Sequence, residues 1–80
     1  KADRVYDMEG KYVFPGLINT HHHLYQTFTR NLSTVQNMEL FDWLTALYEI
    51  WRGLDEEAIY LSSLTGLGEL IKYGCTICFS

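Results

Sequence analysis

Two short apolar runs, residues 17–20 and 75–79, bracket two stretches of helical periodicity, and that order limits the fold more than anything else in the sequence. A strand–helix–strand crossover joins parallel strands, and parallel sheets carry helices on their faces. Two parallel strands leave two unpaired edges, and no internal repeat in the 80 residues supplies partners for them. The expected class is therefore α/β, with these residues reading as the opening of a larger structure.

The elements follow from local pattern. Residues 4–14 predict a hairpin: Val5 and Tyr6, a turn at Glu9, Gly10 and Lys11, then Tyr12, Val13 and Phe14. Pro15 and Gly16 stop it, and the extended run Leu17, Ile18, Asn19, Thr20 leads into His21, His22 and His23. Residues 24–30 suit one or two helical turns, whereas residues 31–37 lack periodicity and read as an exposed loop. From Met38 to Trp51 the positions Leu40, Phe41, Trp43, Leu44, Leu47, Tyr48 and Trp51 recur at three and four, a wide aromatic stripe on a helix. Asp55 is the expected N-cap of a second helix, with Glu56 and Glu57 opposing the positive end of its dipole. That helix carries Tyr60, Leu61, Leu64, Leu67, Gly68 and Ile71 on one broad face and ends at Gly74, after which residues 75–79 read as a buried strand.

Composition narrows the partners. A chain that is 48% hydrophobic and 15% aromatic is not a disordered tail. Ten acidic against six basic residues give a net charge of −4, which removes the electrostatic basis for nucleic-acid or anionic-membrane binding. Glu49, Arg52, Glu69 and Lys72 interrupt every apolar stretch, so no membrane span is expected. Two cysteines, Cys75 and Cys78, make no disulfide scaffold, and the first residues do not lead into a signal-peptide core, so the expected setting is a reducing cytoplasm.

The histidine triplet carries the chemistry. Side chains alternate along a strand, so His21 and His23 share a side with α-carbons about 6.5–7 Å apart, from which two imidazoles can reach one ion at roughly 2.0–2.1 Å. His22 points the other way. Two ligands do not complete a zinc site, and catalysis needs an open position for water as well. Spacing alone leaves a polar loop with tag-like histidines as the competing reading.

The run Phe14-Pro15-Gly16-Leu17-Ile18-Asn19-Thr20-His21-His22-His23 resembles the first barrel strand of the amidohydrolase superfamily, whose pattern there is P-G-[FLM]-[IV]-[DN]-x-H-x-H. The string His21 to Gln26, with Thr27 and Arg30 after it, is similar to the purine and triazine aminohydrolase branch, nearest the 8-oxoguanine deaminases, with guanine deaminases more distant. The resemblance implies that residues 1–16 end a small β-sandwich and that residues 17–80 begin a (β/α)8 TIM-type barrel: strand 1, helices, strand 2. It implies metal ligation by His21 and His23, and contact of the Gln26 amide, both donor and acceptor, with a heterocycle edge. It implies one divalent ion, zinc or iron, and hydrolytic deamination of an oxopurine such as 8-oxoguanine, with guanine or a hydroxytriazine as alternatives. A third histidine, an aspartate and the acid–base residues belong to strands 5, 6 and 8 of that family, so no catalytic residue beyond the ligands is assigned here, and the 80 residues alone are expected to be inactive. The sequence departs from the family at Phe79 and Ser80, where relatives usually carry an acidic residue near the end of strand 2.

Three competing readings belong beside it. The match to the zinc deaminases with H-x-E and P-C-x-x-C fails twice, since His23 stands where the glutamate should be and Gly74 replaces the proline. Trp43, Tyr48 and Trp51 at helical spacing are read as core rather than as a stacking surface. A helical interaction module, burying the 38–51 stripe against a partner or in a homo-oligomer, is the non-catalytic alternative.

Overall fold

A computed structural model describes all of residues 1–80. Its one sheet has two parallel strands, β1 (Leu17–Asn19) and β2 (Cys75–Cys78), as the crossover order requires. The register pairs Leu17 with Cys75, Ile18 with Ile77 and Asn19 with Cys78, so Thr76 is the extra residue of a bulge. Thr76 lies against Gly16, where a Cβ would come within 2.1 Å of its Cγ2; the residue entering β1 therefore has to be glycine.

Between the strands the chain forms a 3-10 helix at Leu24–Thr29, a second at Ser33–Val35, then α1 (Leu40–Trp51) and α2 (Glu56–Lys72). Asp55 caps α2 as expected, its carboxylate accepting from the Ala58 amide at 2.8 Å. At the other end Gly74 takes φ +84°, and its N–H donates to the Ile71 carbonyl at 3.0 Å. Asn31 also turns left-handed, at φ 60°, which lets the chain leave the first 3-10 helix. No helix is long and apolar enough to cross a membrane.

The core belongs to the crossover rather than to the sheet. Val35, Leu47 and Trp51 are buried, with Tyr25, Leu32, Trp43, Leu44, Ala46 and Leu54 packed around them. Tyr25, Trp43 and Tyr48 meet Trp51 edge-on, with centroids 5.2, 6.0 and 5.4 Å away. The Trp51 indole N–H donates to Thr29 Oγ1 at 2.9 Å, so the buried ring carries no unpaired polar group.

Four expectations need correction. The hairpin over 4–14 forms only its turn, with the Lys11 amide donating to the Met8 carbonyl at 3.0 Å and Gly10 at φ +73°. Its flanks do not pair, because a lone two-stranded ribbon is marginal and Val5, Tyr6 and residues 12–14 have no surface to pack on. Residues 31–37 are not a uniformly exposed loop: the second 3-10 helix drives Val35 into the core at 5% exposure. On α2 the buried positions are the small residues Ser62 and Gly66, while Tyr60, Leu61, Leu64, Leu67 and Ile71 are exposed. Strand β2 is likewise half-buried only at Cys75 and Cys78, since no second layer covers it.

Candidate functional site

The chain leaves β1 still extended, and three backbone contacts fix where the histidines go. The His21 amide donates to Asn19 Oδ1 at 3.0 Å, the His22 amide to the Phe79 carbonyl at 3.2 Å, and the Leu24 amide to Ser80 Oγ at 3.2 Å. The triplet is thus tied to the end of β2. Its two outer imidazoles converge: His21 Nε2 and His23 Nε2 are 3.2 Å apart, with ring planes at 87°.

That separation suits a shared ion. Two tetrahedral ligand atoms, each about 2.0–2.1 Å from a metal, are about 3.3–3.4 Å from one another. Both rings are exposed, so an ion has access, and no third His, Cys, Asp or Glu joins the pair. The residues present therefore fit half of a four-coordinate site. His22 takes the opposite direction, as strand alternation requires, and packs toward α2 with its Nδ1 buried and without a hydrogen-bond partner.

Beside the pair lies a cleft of about 580 Å³, lined in part by His21, His23, Gln26, Arg30, Trp43 and Glu69. Gln26 reaches it because the first 3-10 helix starts immediately after His23, the Gln26 amide donating to the His23 carbonyl at 3.0 Å. The helix in turn rests on α2 at Gly66, where a Cβ would stand 2.9 Å from Thr27 Oγ1 and 3.2 Å from Leu24 Cδ2. The two predicted ligands and the predicted substrate amide are thus brought together in one cleft.

Two lining residues, Glu69 and Trp43, carry no local sequence signal for this place. Glu69, from α2, forms an ion pair with Arg30 at the edge of the cleft. The hydrogen bond from Arg30 holds the Glu69 carboxyl below its ordinary range, and the same bond raises the guanidinium. Nothing local marks Glu69, because it meets the cleft only through the packing of α2. Helical spacing reads Trp43 as core, yet it is only half-buried and lines the cleft. Trp51 is the core ring, and Tyr48 is 56% exposed on its outer side.

Comparison with known proteins gives this geometry its setting. The model of the amidohydrolase family matches residues 12–80. The 8-oxoguanine deaminase of Pseudomonas aeruginosa is 46% identical over 71 residues, covering 89% of this chain and 16% of that protein. Hydroxydechloroatrazine ethylaminohydrolase of Pseudomonas sp. strain ADP is 42% identical over 77 residues, covering 94% and 16%. The 5-methylthioadenosine/S-adenosylhomocysteine deaminase of Acetivibrio thermocellus is also 42% identical over 77 residues, covering 95% and 17%. The chain spans about a sixth of the length of these curated relatives. With a family match over nearly its whole length, and a parallel strand pair that ends in paired histidines beside a cleft, the chain belongs to the amidohydrolase family.

Proposed function

We propose that this chain is the opening portion of a metal-dependent hydrolase that deaminates a small nitrogen heterocycle, an oxopurine such as 8-oxoguanine. The observation that carries the reading is the convergence of His21 and His23 Nε2 to 3.2 Å at the mouth of a cleft that also takes Gln26. His21 and His23 hold one divalent ion, zinc first and iron second by donor type. Such an ion supplies a low-pKa water and polarises the carbon under attack.

The chain's own residues do the rest of what can be assigned to it. Gln26 offers an amide donor and acceptor to a ring edge, and its short connection to His23 places that edge beside the metal pair. The Arg30–Glu69 pair closes one wall with near-neutral charge, so that wall adds little net charge beside an uncharged polar ring. The further ligands and acid–base groups come from other strands of a barrel of about 250 residues, whose first β/α portion is residues 17–80. Residues 1–16 then close a small β-sandwich, which would give Val5, Tyr6 and residues 12–14 the partners they lack here. Two ligands alone leave water unactivated, so the 80-residue chain is inactive by itself.

A second reading, a hydroxytriazine aminohydrolase, is favoured by the 42% identity to hydroxydechloroatrazine ethylaminohydrolase. The test is amine release by the full-length protein from 8-oxoguanine, guanine and an N-ethyl hydroxytriazine, with and without a chelator. Chelator-sensitive ammonia release, fastest from 8-oxoguanine, is expected. Turnover of the triazine alone would move the assignment to the second reading, and release that survives metal removal would overturn both.

A further inference from the structure

The first 3-10 helix, Leu24–Thr29, runs for six residues, longer than the roughly three or four at which such helices usually stop, and the side chain of its N-cap, His23, makes no capping bond. Its placement, and that of Gln26 on it, therefore rests on ties from outside. On one side Thr27 and Leu24 lie against Gly66 of α2. On the other, the half-buried Thr29 hydroxyl serves two groups at once: it accepts the Trp51 indole N–H at 2.9 Å and donates to the Gln26 carbonyl at 3.3 Å. A hydroxyl has one proton to give and lone pairs to receive with, so the two bonds coexist.

We propose that Thr29 is a positioning residue: its hydroxyl carries the fixed orientation of the Trp51 ring to the backbone of Gln26, and so sets where the Gln26 amide stands beside the His21–His23 pair. This rests on the reading that Gln26 contacts the heterocycle. Trp51 is 8% exposed and meets Tyr25, Trp43 and Tyr48 edge-on, so core packing fixes the direction of its N–H. Thr29 thus binds an immobile donor. The Gln26 N–H is given to the His23 carbonyl at 3.0 Å and the Gln26 carbonyl is taken by Thr29, so the backbone of this one residue is held from both sides. One hold comes from the histidine pair and the other from the core. Removing the second leaves Gln26 free to turn about the first, and a contact that must be reordered on binding is weaker than one already in place.

Thr29→Val, Thr29→Ser and Gln26→Ala, with Thr29→Val also combined with Gln26→Ala, test this in the full-length protein through steady-state kinetics on 8-oxoguanine, metal content, and calorimetric binding of 8-oxoguanine to chelator-treated protein. Thr29→Val should raise KM about tenfold, the loss of one hydrogen bond to the ring, with kcat within about threefold and metal retained. Thr29→Ser should restore the wild-type value. In the Gln26→Ala background Thr29→Val should add less than about twofold, because a residue acting through Gln26 then has nothing to position. Trp51→Phe keeps a ring in the core and orphans no N–H, so it takes the place of Thr29→Val if that variant does not fold, with the same rise in KM and the same lack of effect on Gln26→Ala expected. An active wild type whose KM is unmoved by the folded variant, or rises equally with and without Gln26, overturns the proposal and leaves the deaminase reading intact. A wild type that releases no amine overturns that reading, and binding then decides this one: non-additive weakening by the Thr29 and Gln26 variants supports the positioning role, whereas additive or absent weakening overturns it.

Discussion

Trp51 closes α1 and Ile71 lies in the last turn of α2, and the two have opposite surroundings. Trp51 is 8% exposed, ringed by Tyr25, Trp43 and Tyr48, and hydrogen-bonded to Thr29; Ile71 is 72% exposed. The segment whose first 3-10 helix carries Gln26 builds its own core from residues of the crossover. The outer face of α2 and the flanks of the sheet have nothing to build on. An apolar face as broad as Leu61, Leu64, Leu67 and Ile71 calls for a cover, which under the proposed function further chain would supply. The cleft side is thus shaped locally, whereas the sheet side depends on partners.

The largest expected effects test each half in turn. In the full-length protein Trp51→Ala should cost about 3–5 kcal/mol by denaturant unfolding, because it removes the ring on which three others rest. Ile71→Ala should cost about 2–5 kcal/mol there if α2 is covered, and a cost under about 0.5 kcal/mol would leave that face bare and break the comparison.

A smaller effect separates the two sides of α2 itself. Gly66→Ala puts a Cβ 2.9 Å from Thr27 Oγ1 and should cost about 1–3 kcal/mol while displacing the helix that carries Gln26. Gly68 has nothing within 4 Å of a built Cβ, so in the 80-residue chain Gly68→Ala should stabilise by roughly 0.5–1 kcal/mol. Thermal unfolding followed by circular dichroism reads both, and equal effects would erase the distinction between the packed and the bare side.

The smallest effect is electrostatic. The Arg30 hydrogen bond holds Glu69 below its ordinary carboxylate range, so the folded state prefers the ionised form. Its contribution is complete above the unfolded carboxylate value and disappears as pH falls through the lower, folded one. The Arg30 guanidinium, raised by the same bond, stays charged throughout that window and would give up its side of the pair only at strongly alkaline pH. Both groups are solvent-exposed, so the change is slight. An NMR titration of the Glu69 carboxyl should move up to the ordinary range in Arg30→Ala; an unchanged titration would show that the pair does not form.

What was legible in the sequence was what local rules determine. Asp55 caps and Gly74 reverses the chain because one residue's chemistry decides each end of α2. His21 and His23 converge because strand alternation places them on one side. Residues 31–37 read as an exposed loop, yet Val35 is buried, because its burial depends on the position of α1, which no short window encodes. Residues 4–14 have strand chemistry but no partner, so propensity alone did not make the hairpin. Trp43 and Trp51 share one helical stripe, and only packing separates the ring that lines the cleft from the ring that fills the core.

The central claim is that His21 and His23 hold one catalytic ion. Native mass spectrometry of the full-length protein and of its His21→Ala and His23→Ala variants tests it most directly. One divalent ion per wild-type subunit, lost from both variants while each stays folded, is the predicted result; full retention of the ion in either variant would contradict it.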